Sequence, residues 1–142
     1  MAGEIVVGVG GDGSGTSAAR VAARVANMMN TSLVIVFGYE AAALGPRGGA
    51  LEEEIAAVGA EATSKIRAEI SRAYPTLDVQ VEMVPDRPVE SLVRVAEARQ
   101  AEVIVVGHGG KGPLRAALLG SVTYELVHRA PVPVLVVPDD EA

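Results

Sequence analysis

Two glycine-containing segments in the C-terminal half have the residue types of a phosphate-binding site. The segment Gly107-His108-Gly109-Gly110-Lys111 follows an apolar run, and nine residues separate Gly110 from the segment Gly120-Ser121-Val122. Glycines allow tight turns in which backbone N–H groups approach an anion, and a hydroxyl residue that opens a helix adds the partial positive charge of the helix N-terminus. Lys111 either adds a flexible cation or solvates the loop. The two segments predict a nucleotide site.

Another glycine cluster follows the first apolar run of the chain. It carries the G-x-G-x-x-G spacing of dinucleotide-binding loops, with its glycines at Gly8, Gly10 and Gly13. Gly8 is expected inside the strand, where it serves packing. Asp12 and Ser14 either cap the next helix or cap it and also face a ligand. If this loop binds NAD, Glu40 after the second apolar run would meet a ribose hydroxyl.

Other phosphate and catalytic chemistries lack their motifs. A Walker loop would need glycine and a hydroxyl residue where Val105 and Gly112 stand. Ser14 lacks the Gly-x-Ser-x-Gly pattern of a nucleophile elbow. The two histidines of the chain do not form a metal-site pattern, and His108 either donates to a ligand or is an exposed loop residue. We therefore expect a binding protein and not an enzyme, with no catalytic or metal-ligating residues.

Composition excludes several classes of partner. With 142 residues, 49% of them hydrophobic, the chain makes one domain with a substantial core. A net charge of −6 and 3% aromatic residues disfavour binding to DNA or RNA, which needs a positive field and stacking rings. The absence of cysteine, of a secretion signal and of any apolar run near the ~20 residues of a membrane span predicts a cytoplasmic protein that does not contact membranes.

Short β-branched runs alternate with alanine-rich segments of helical period, which is typical of βαβ units around a parallel sheet. Five strands are predicted, over residues 5–9, 33–37, 79–84, 103–106 and 132–137. Gln80 and Glu82 alternate with apolar residues, so the third strand is expected at an edge. The prediction is a single doubly wound α/β domain, residues 1–142, with strand order 3-2-1-4-5 and helices on both faces. Both glycine clusters then meet where the winding reverses.

Helices fill the gaps between the predicted strands. The longest is predicted over residues 51–74, with an apolar stripe along one side and Pro75 after its end. The segment 40–50, which contains Gly45, Pro46, Gly48 and Gly49, is interpreted as a mobile loop that closes over a ligand or merely connects two elements.

The spacing from Gly107 through Gly110 to Gly120-Ser121 resembles the nucleotide motif of the universal stress protein family, in its ATP-binding branch. The likeness extends over nearly the whole chain. Residues 7–14 are similar to the family's first strand and its Asp-Gly-Ser turn, 103–107 to its fourth strand, and 118–122 and 130–137 to its C-terminal segment. Two departures are Asp86, where the family commonly has glycine, and Pro113, where a small polar residue is usual.

The resemblance implies an ATP-binding regulatory protein of the stress response that hydrolyses ATP slowly or not at all, with a divalent ion such as Mg²⁺ on the phosphates. It implies a homodimer through strand 132–137, whose apolar edge is guarded at its start by Pro131 and Pro133. The implied contacts are Asp12 and the Gly38 backbone with the base, Gly10 and Gly11 at the entrance, Gly107, Gly110 and Lys111 with ribose and phosphates, and Gly120, Ser121 and Val122 at the phosphate end.

Two alternatives stay open at this point. One is a small NAD-binding regulatory domain that uses Gly8, Gly10, Gly13 and Glu40. The other is a dimeric scaffold that binds no nucleotide.

Overall fold

The structure is a computed structural model that describes residues 3–39, 48–109 and 120–138. Over these residues the strands are β1 (Ile5–Gly8), β2 (Leu33–Gly38), β3 (Val79–Val84), β4 (Val103–Gly107) and β5 (Val134–Val137), and the helices are α1 (Thr16–Met28), α2 (Gly48–Ala73), α3 (Pro88–Arg99) and α4 (Ser121–Arg129). All neighbouring strands pair in parallel, in the order β3-β2-β1-β4-β5. The predicted doubly wound fold and strand order are confirmed.

Helices cover both faces of the sheet, which explains why the central strands are apolar throughout. Alternate residues of a strand point to opposite faces. Val7 and Ile35 therefore belong to the core under α1 and α2, whereas Val6 and Val34 belong to the core under α3 and α4. α1 can lie close to the sheet because its buried residues are all alanines, namely Ala18, Ala19, Ala22, Ala23 and Ala26. Each fully buried Val or Ile contributes roughly 1.5–3 kcal/mol of hydrophobic stabilisation.

One end of the predicted loop over residues 40–50 is wrong. Residues 48–50 are helical and open α2, while residues 40–47, including Glu40, lie outside the described part of the chain. Two consecutive glycines indicated a turn because glycine is a poor helix former. The helix that follows extends through them nevertheless.

The last strand is shorter than predicted. Strand 132–137 begins instead at Val134, since Pro133 has no N–H to pair with β4. The Pro133 carbonyl still accepts a hydrogen bond from the Ile104 N–H at 3.0 Å. The start of β5 is therefore determined by a missing donor.

α2 is longer than the sheet it covers. Its 26 residues span about 39 Å, against about 20 Å for the six residues of β2 or β3. The predicted apolar stripe is consequently buried in its second half, at Ile66 and Ile70, whereas Leu51 and Val58 are 44% and 54% exposed. None of the described helices, α2 included, combines the length and the apolar character needed to cross a membrane.

The polar residues that indicated an edge strand bind the last residue of α3. β3 is indeed at one edge of the sheet. Arg99 donates from Nε to Glu82 (2.8 Å) and from Nη1 to Gln80 (2.9 Å) and Glu4 (3.0 Å). Burial alone would lower the pKa of Arg99, but its hydrogen bonds to Glu82 and Glu4 outweigh burial and raise it. These contacts fasten the C-terminal end of α3 to the sheet, while its N-terminal end lies at the carboxyl ends of the strands, next to Gly38.

Candidate functional site

A cavity of about 500 Å³ opens at the carboxyl ends of the central strands, where the winding reverses between β1 and β4. Its walls come from the loop after β1, the end of β2, the start of α3, the end of β4 and the start of α4. The lining includes seven of the residues to which the sequence assigned a ligand role, namely Gly10, Asp12, Gly38, Gly107, Gly120, Ser121 and Val122. Gly110 and Lys111 lie outside the described residues.

Three helices begin at this cavity. Gly15 precedes α1, Pro88 is the first residue of α3 and Gly120 precedes α4, and all three line the cavity. The first N–H groups of a helix have no partner within the helix and carry its partial positive charge. The N-cap residues of the three helices, Gly15, Arg87 and Gly120, make no side-chain capping bond. This end of the sheet is therefore electrostatically suited to an anion.

The two C-terminal glycine segments are in direct contact. A Cβ atom placed on Gly120 would lie 2.6 Å from the carbonyl oxygen of Gly109, and the Gly120 N–H donates to the His108 carbonyl at 3.0 Å. Gly109 itself has a φ of 78°, a conformation that favours glycine. Thr123 in the first turn of α4 donates its hydroxyl to the Gly107 carbonyl at 2.7 Å. Residues that are distant in sequence thus form one wall of the cavity, which includes the start of α4.

The loop after β1 forms a closed lobe at the other side of the cavity. The Gly10 N–H donates to the Ser14 carbonyl (2.8 Å) and the Gly13 N–H to the Gly10 carbonyl (3.1 Å). The Asp12 carboxylate accepts the Ser14 N–H at 3.0 Å. These bonds hold the lobe so that the Asp12 side chain borders the cavity.

Gly11 lies on the far side of this lobe. It lines a neighbouring hollow of about 430 Å³ between the lobe and α2, and a Cβ atom on it would be 3.4 Å from both Phe37 and Val58. Gly10 and Gly11 are adjacent in sequence but border different spaces. Asp12 borders both.

The apolar end of the cavity is formed by Val36, Pro88 and Leu92. Here β2 extends beyond β1. The Val9 N–H donates to the Val36 carbonyl, whereas the Tyr39 N–H donates to Val84 in β3, both at 3.0 Å. Since peptide groups alternate in direction along a strand, the N–H and C=O of Gly38 point to the β1 side, where β1 has already ended. One donor and one acceptor thus face the apolar end.

Gly38 must be glycine for a packing reason. A Cβ atom on it would lie 2.5 Å from the hydroxyl of Ser91 and 3.0 Å from the carbonyl of Asp86. Ser91 is fully buried and donates its hydroxyl within the turn that opens α3, at 3.0 Å from the Asp86 carbonyl and 2.8 Å from that of Arg87. α3 and β2 therefore approach most closely beside the candidate site.

Sequence reasoning missed several lining residues, among them Val36, Pro88, Leu92 and Thr123. Leu92 and Thr123 occupy positions of helical period that indicate core packing, and no sequence pattern separates a core residue from one that also borders a cavity. His108 is not among the lining residues. Its main chain instead joins β4 to β5 and α4, through bonds to Val137 and Gly120.

Asp12 is the only ionisable side chain among the described residues that line the cavity. Nowhere in residues 3–39, 48–109 and 120–138 do three or more His, Cys, Asp or Glu side chains cluster in a way that could hold a metal ion. A divalent ion in this cavity would therefore need most of its ligands from a bound anion and from water.

An ion-pair cluster ties together the two helices on the cavity side of the sheet. Oε1 of Glu90 in α3 accepts from Arg129 Nη1 at the end of α4 (2.6 Å) and from Arg87 Nη2 (2.8 Å). Arg129 also donates to Glu125 at 2.7 Å. The hydrogen bond from Arg129 holds the pKa of the Glu90 carboxyl below its ordinary value, against the opposing effect of burial.

We expect acid to weaken this tie between α3 and α4. A carboxyl with a lowered pKa in the folded chain adds stability above its unfolded pKa, and loses that contribution as the pH falls through the folded value. Wild type should therefore have a larger free energy of unfolding than Glu90→Gln at neutral pH. This difference should shrink as the pH falls below 4.5, the ordinary pKa of a glutamate carboxyl. Urea unfolding of both proteins over a pH series measures it. A difference that stays constant into acid would contradict the prediction.

Known proteins are similar to this chain over almost its whole length. A family model described as the universal stress protein family matches residues 1–138. The chain is 36% identical over 146 aligned positions to universal stress protein Rv2005c of Mycobacterium tuberculosis, an alignment that covers 97% of this chain and 48% of that protein. The chain thus spans about half the length of the mycobacterial relatives that it matches.

Solved structures give the same likeness. A universal stress protein crystallised in complex with cAMP is 28% identical, with 98% of each chain covered and a TM-score of 0.69. Universal stress protein UspA from Lactobacillus plantarum is 22% identical and superposes with a TM-score of 0.80 over 95% of this chain and 97% of its own. The second likeness concerns the fold alone.

Proposed function

The chain belongs to the universal stress protein family. We propose that it is a cytoplasmic regulatory protein of the stress response that binds an adenine nucleotide, and that this nucleotide is ATP. The observation that carries this proposal is the cavity at the winding reversal, with an apolar end beside the Gly38 peptide and an amide-rich end at the start of α4. A nucleotide has the same polarity, with an apolar heterocycle at one end and an anion at the other.

The base is assigned to the apolar end. Adenine presents an amino donor next to a ring-nitrogen acceptor, which complements the C=O and N–H of Gly38 on the side where β1 has ended. Guanine presents an oxygen where adenine has the amino group, and this oxygen would oppose the Gly38 carbonyl. Asp12, which borders the cavity, is proposed to contact the base or the ribose.

The phosphates are assigned to Gly107, Gly120, Ser121 and Val122, where backbone amides and the dipole of α4 favour negative charge. Gly110 and Lys111 are proposed to complete this end, and Mg²⁺ to be held by the phosphates themselves. Gly10 and Gly11 are proposed for the entrance. No described lining residue is a base that could activate water other than Asp12, which supports slow or no hydrolysis.

We also propose that the protein acts as a homodimer through the edge of β5. β5 is the last strand of the sheet, and its residue Leu135 is 39% exposed. An exposed apolar edge strand invites a further strand. Size-exclusion chromatography with light scattering tests this part of the proposal, and a monomer at all concentrations would reject it.

The ligand is tested by native mass spectrometry of the purified protein, followed by calorimetric titration with ATP, cAMP, GTP and NAD. We expect ATP to bind and GTP to bind much more weakly. cAMP is included because the relative crystallised with cAMP shares 28% identity with this chain. NAD binding that depends on Glu40 more than on Gly120 would favour the dinucleotide alternative. Absence of binding by every nucleotide would favour the scaffold.

A further inference from the structure

One of the three side chains at the apolar end of the cavity, Leu92, lies deepest. Leu92 lies in the second turn of α3, one turn deeper than Pro88, and both line the cavity. Leu92 is 2% exposed. Its contact on the sheet is Gly8, whose missing side chain leaves the leucine methyl groups against bare backbone.

We infer that Leu92, packed against the bare Cα of Gly8, forms the floor of the base subsite and determines which substituted purines the protein admits. This inference rests on the proposed function and deepens it. Leu92 is a specificity-determining residue here, with no part in any chemical step.

The fit between Gly8 and Leu92 is close. A Cβ atom on Gly8 would lie 3.1 Å from Cδ1 and 3.3 Å from Cδ2 of Leu92, which is tighter than ordinary van der Waals contact. Gly8 pairs with Val36 in the sheet, and the Val36 side chain points to the same face. Leu92, Gly8 and Val36 thus meet at one depth, below the level of Gly38 and Pro88.

The floor is rigid because each side chain around it is fixed by the core. Val36 and Leu92 are almost fully buried and belong to the same cluster as Val95 and Leu126. Close-packed interiors do not yield freely to an added group. A flat heterocycle that reaches the Gly38 peptide fits above this floor, whereas a substituent on its inward edge would meet the Leu92 methyl groups.

The test compares wild type, Leu92→Ala and a matched control, Val95→Ala, which truncates a buried residue of the same helix outside the cavity lining. Each protein is titrated calorimetrically with ATP and with three ATP analogues that carry a benzyl group at N6, at C2 or at C8. The measured quantity is the ratio of analogue to ATP affinity within one protein, so a general loss of stability cancels.

We expect wild type to bind at least one analogue about tenfold or more weakly than ATP, as a hydrophobic pocket discriminates against an oversized group. Leu92→Ala should raise the ratio of analogue to ATP affinity about tenfold, because the space for the added group is larger. Val95→Ala should leave this ratio unchanged. The inference is overturned if wild type binds all three analogues as tightly as it binds ATP. It is also overturned if the affinity ratio is unchanged in Leu92→Ala, or if it rises equally in Val95→Ala.

A second pair of variants uses the other side of the contact. Gly8→Ala should weaken ATP binding because its methyl group pushes Leu92 into the subsite, and adding Leu92→Ala should restore the affinity. If the double variant is as weak as Gly8→Ala alone, the inference fails. Absence of ATP binding by wild type would overturn the proposed function together with this inference, whereas unchanged ratios with ATP bound overturn this inference alone.

Discussion

Gly120→Ala is expected to weaken ATP binding on the order of a hundredfold, since roughly two hydrogen bonds to charged phosphate are lost at about 1.5 kcal/mol each. The added methyl group would lie 2.6 Å from the carbonyl oxygen and 2.7 Å from the carbonyl carbon of Gly109. Both are backbone atoms, so the two glycine segments must separate. The amides of Ser121 and Val122 then move away from the position assigned to the phosphates. Calorimetric titration with ATP measures the loss.

Gly49→Ala is the matched control for this experiment. It makes the same chemical change in the first turn of α2, where a Cβ atom would meet no atom within 4 Å. Its ATP affinity should equal that of wild type. Equal affinities of the Gly120 and Gly49 variants would contradict the assignment of the phosphate end. A larger loss for Glu40→Ala than for Gly120→Ala would point to the dinucleotide alternative.

Gly59→Ala is expected to lower the free energy of unfolding, although alanine is the better helix former. A Cβ atom on Gly59 in the middle of α2 would lie 2.3 Å from the ring of Phe37, which is buried under this helix. Overpacking of a core costs about 1–3 kcal/mol, against a gain of roughly 0.5–1 kcal/mol from replacing glycine within a helix. The cost of overpacking should therefore exceed the gain in helix propensity, so that the variant is less stable than wild type. Urea unfolding followed by circular dichroism measures the difference.

Removing the ring should reverse the sign of that effect. In a Phe37→Leu background the clash is gone, so Gly59→Ala should then stabilise the protein by up to about 1 kcal/mol through helix propensity alone. Gly49→Ala, in open space on the same helix, should be neutral or stabilising in either background. A destabilisation by Gly59→Ala that persists without the ring would show that Phe37 is not its cause.

These glycine variants separate two roles that look alike in a sequence. Gly109 has a positive φ and needs glycine for its backbone conformation. Gly38, Gly59 and Gly120 need it because another group occupies the space of a side chain: Ser91, Phe37 and Gly109 respectively. The candidate site depends mainly on the second role, since Gly38 and Gly120 let α3 and the end of β4 close the cavity from two sides.

The sequence by itself determined the fold and the motif. Apolar runs with strand period and alanine-rich segments with helical period report local structure, and the right-handed crossover rule then leaves few strand orders. For that reason the sheet order, the edge position of β3 and the meeting of the glycine segments at the winding reversal could be predicted. The start of β5 could not be, because it depends on how Pro133 faces β4.

Only the tertiary structure decided which further residues border the cavity and which of the predicted ones do not. Gly10 and Gly11 have the same side chain and adjacent positions, yet the closed lobe directs them to different hollows. Leu92 carries the pattern of a core residue, and it becomes a cavity wall only because α3 crosses Gly8 at that turn. Such contacts join residues distant along the chain. They follow from the path of the whole backbone, which local periodicity does not encode.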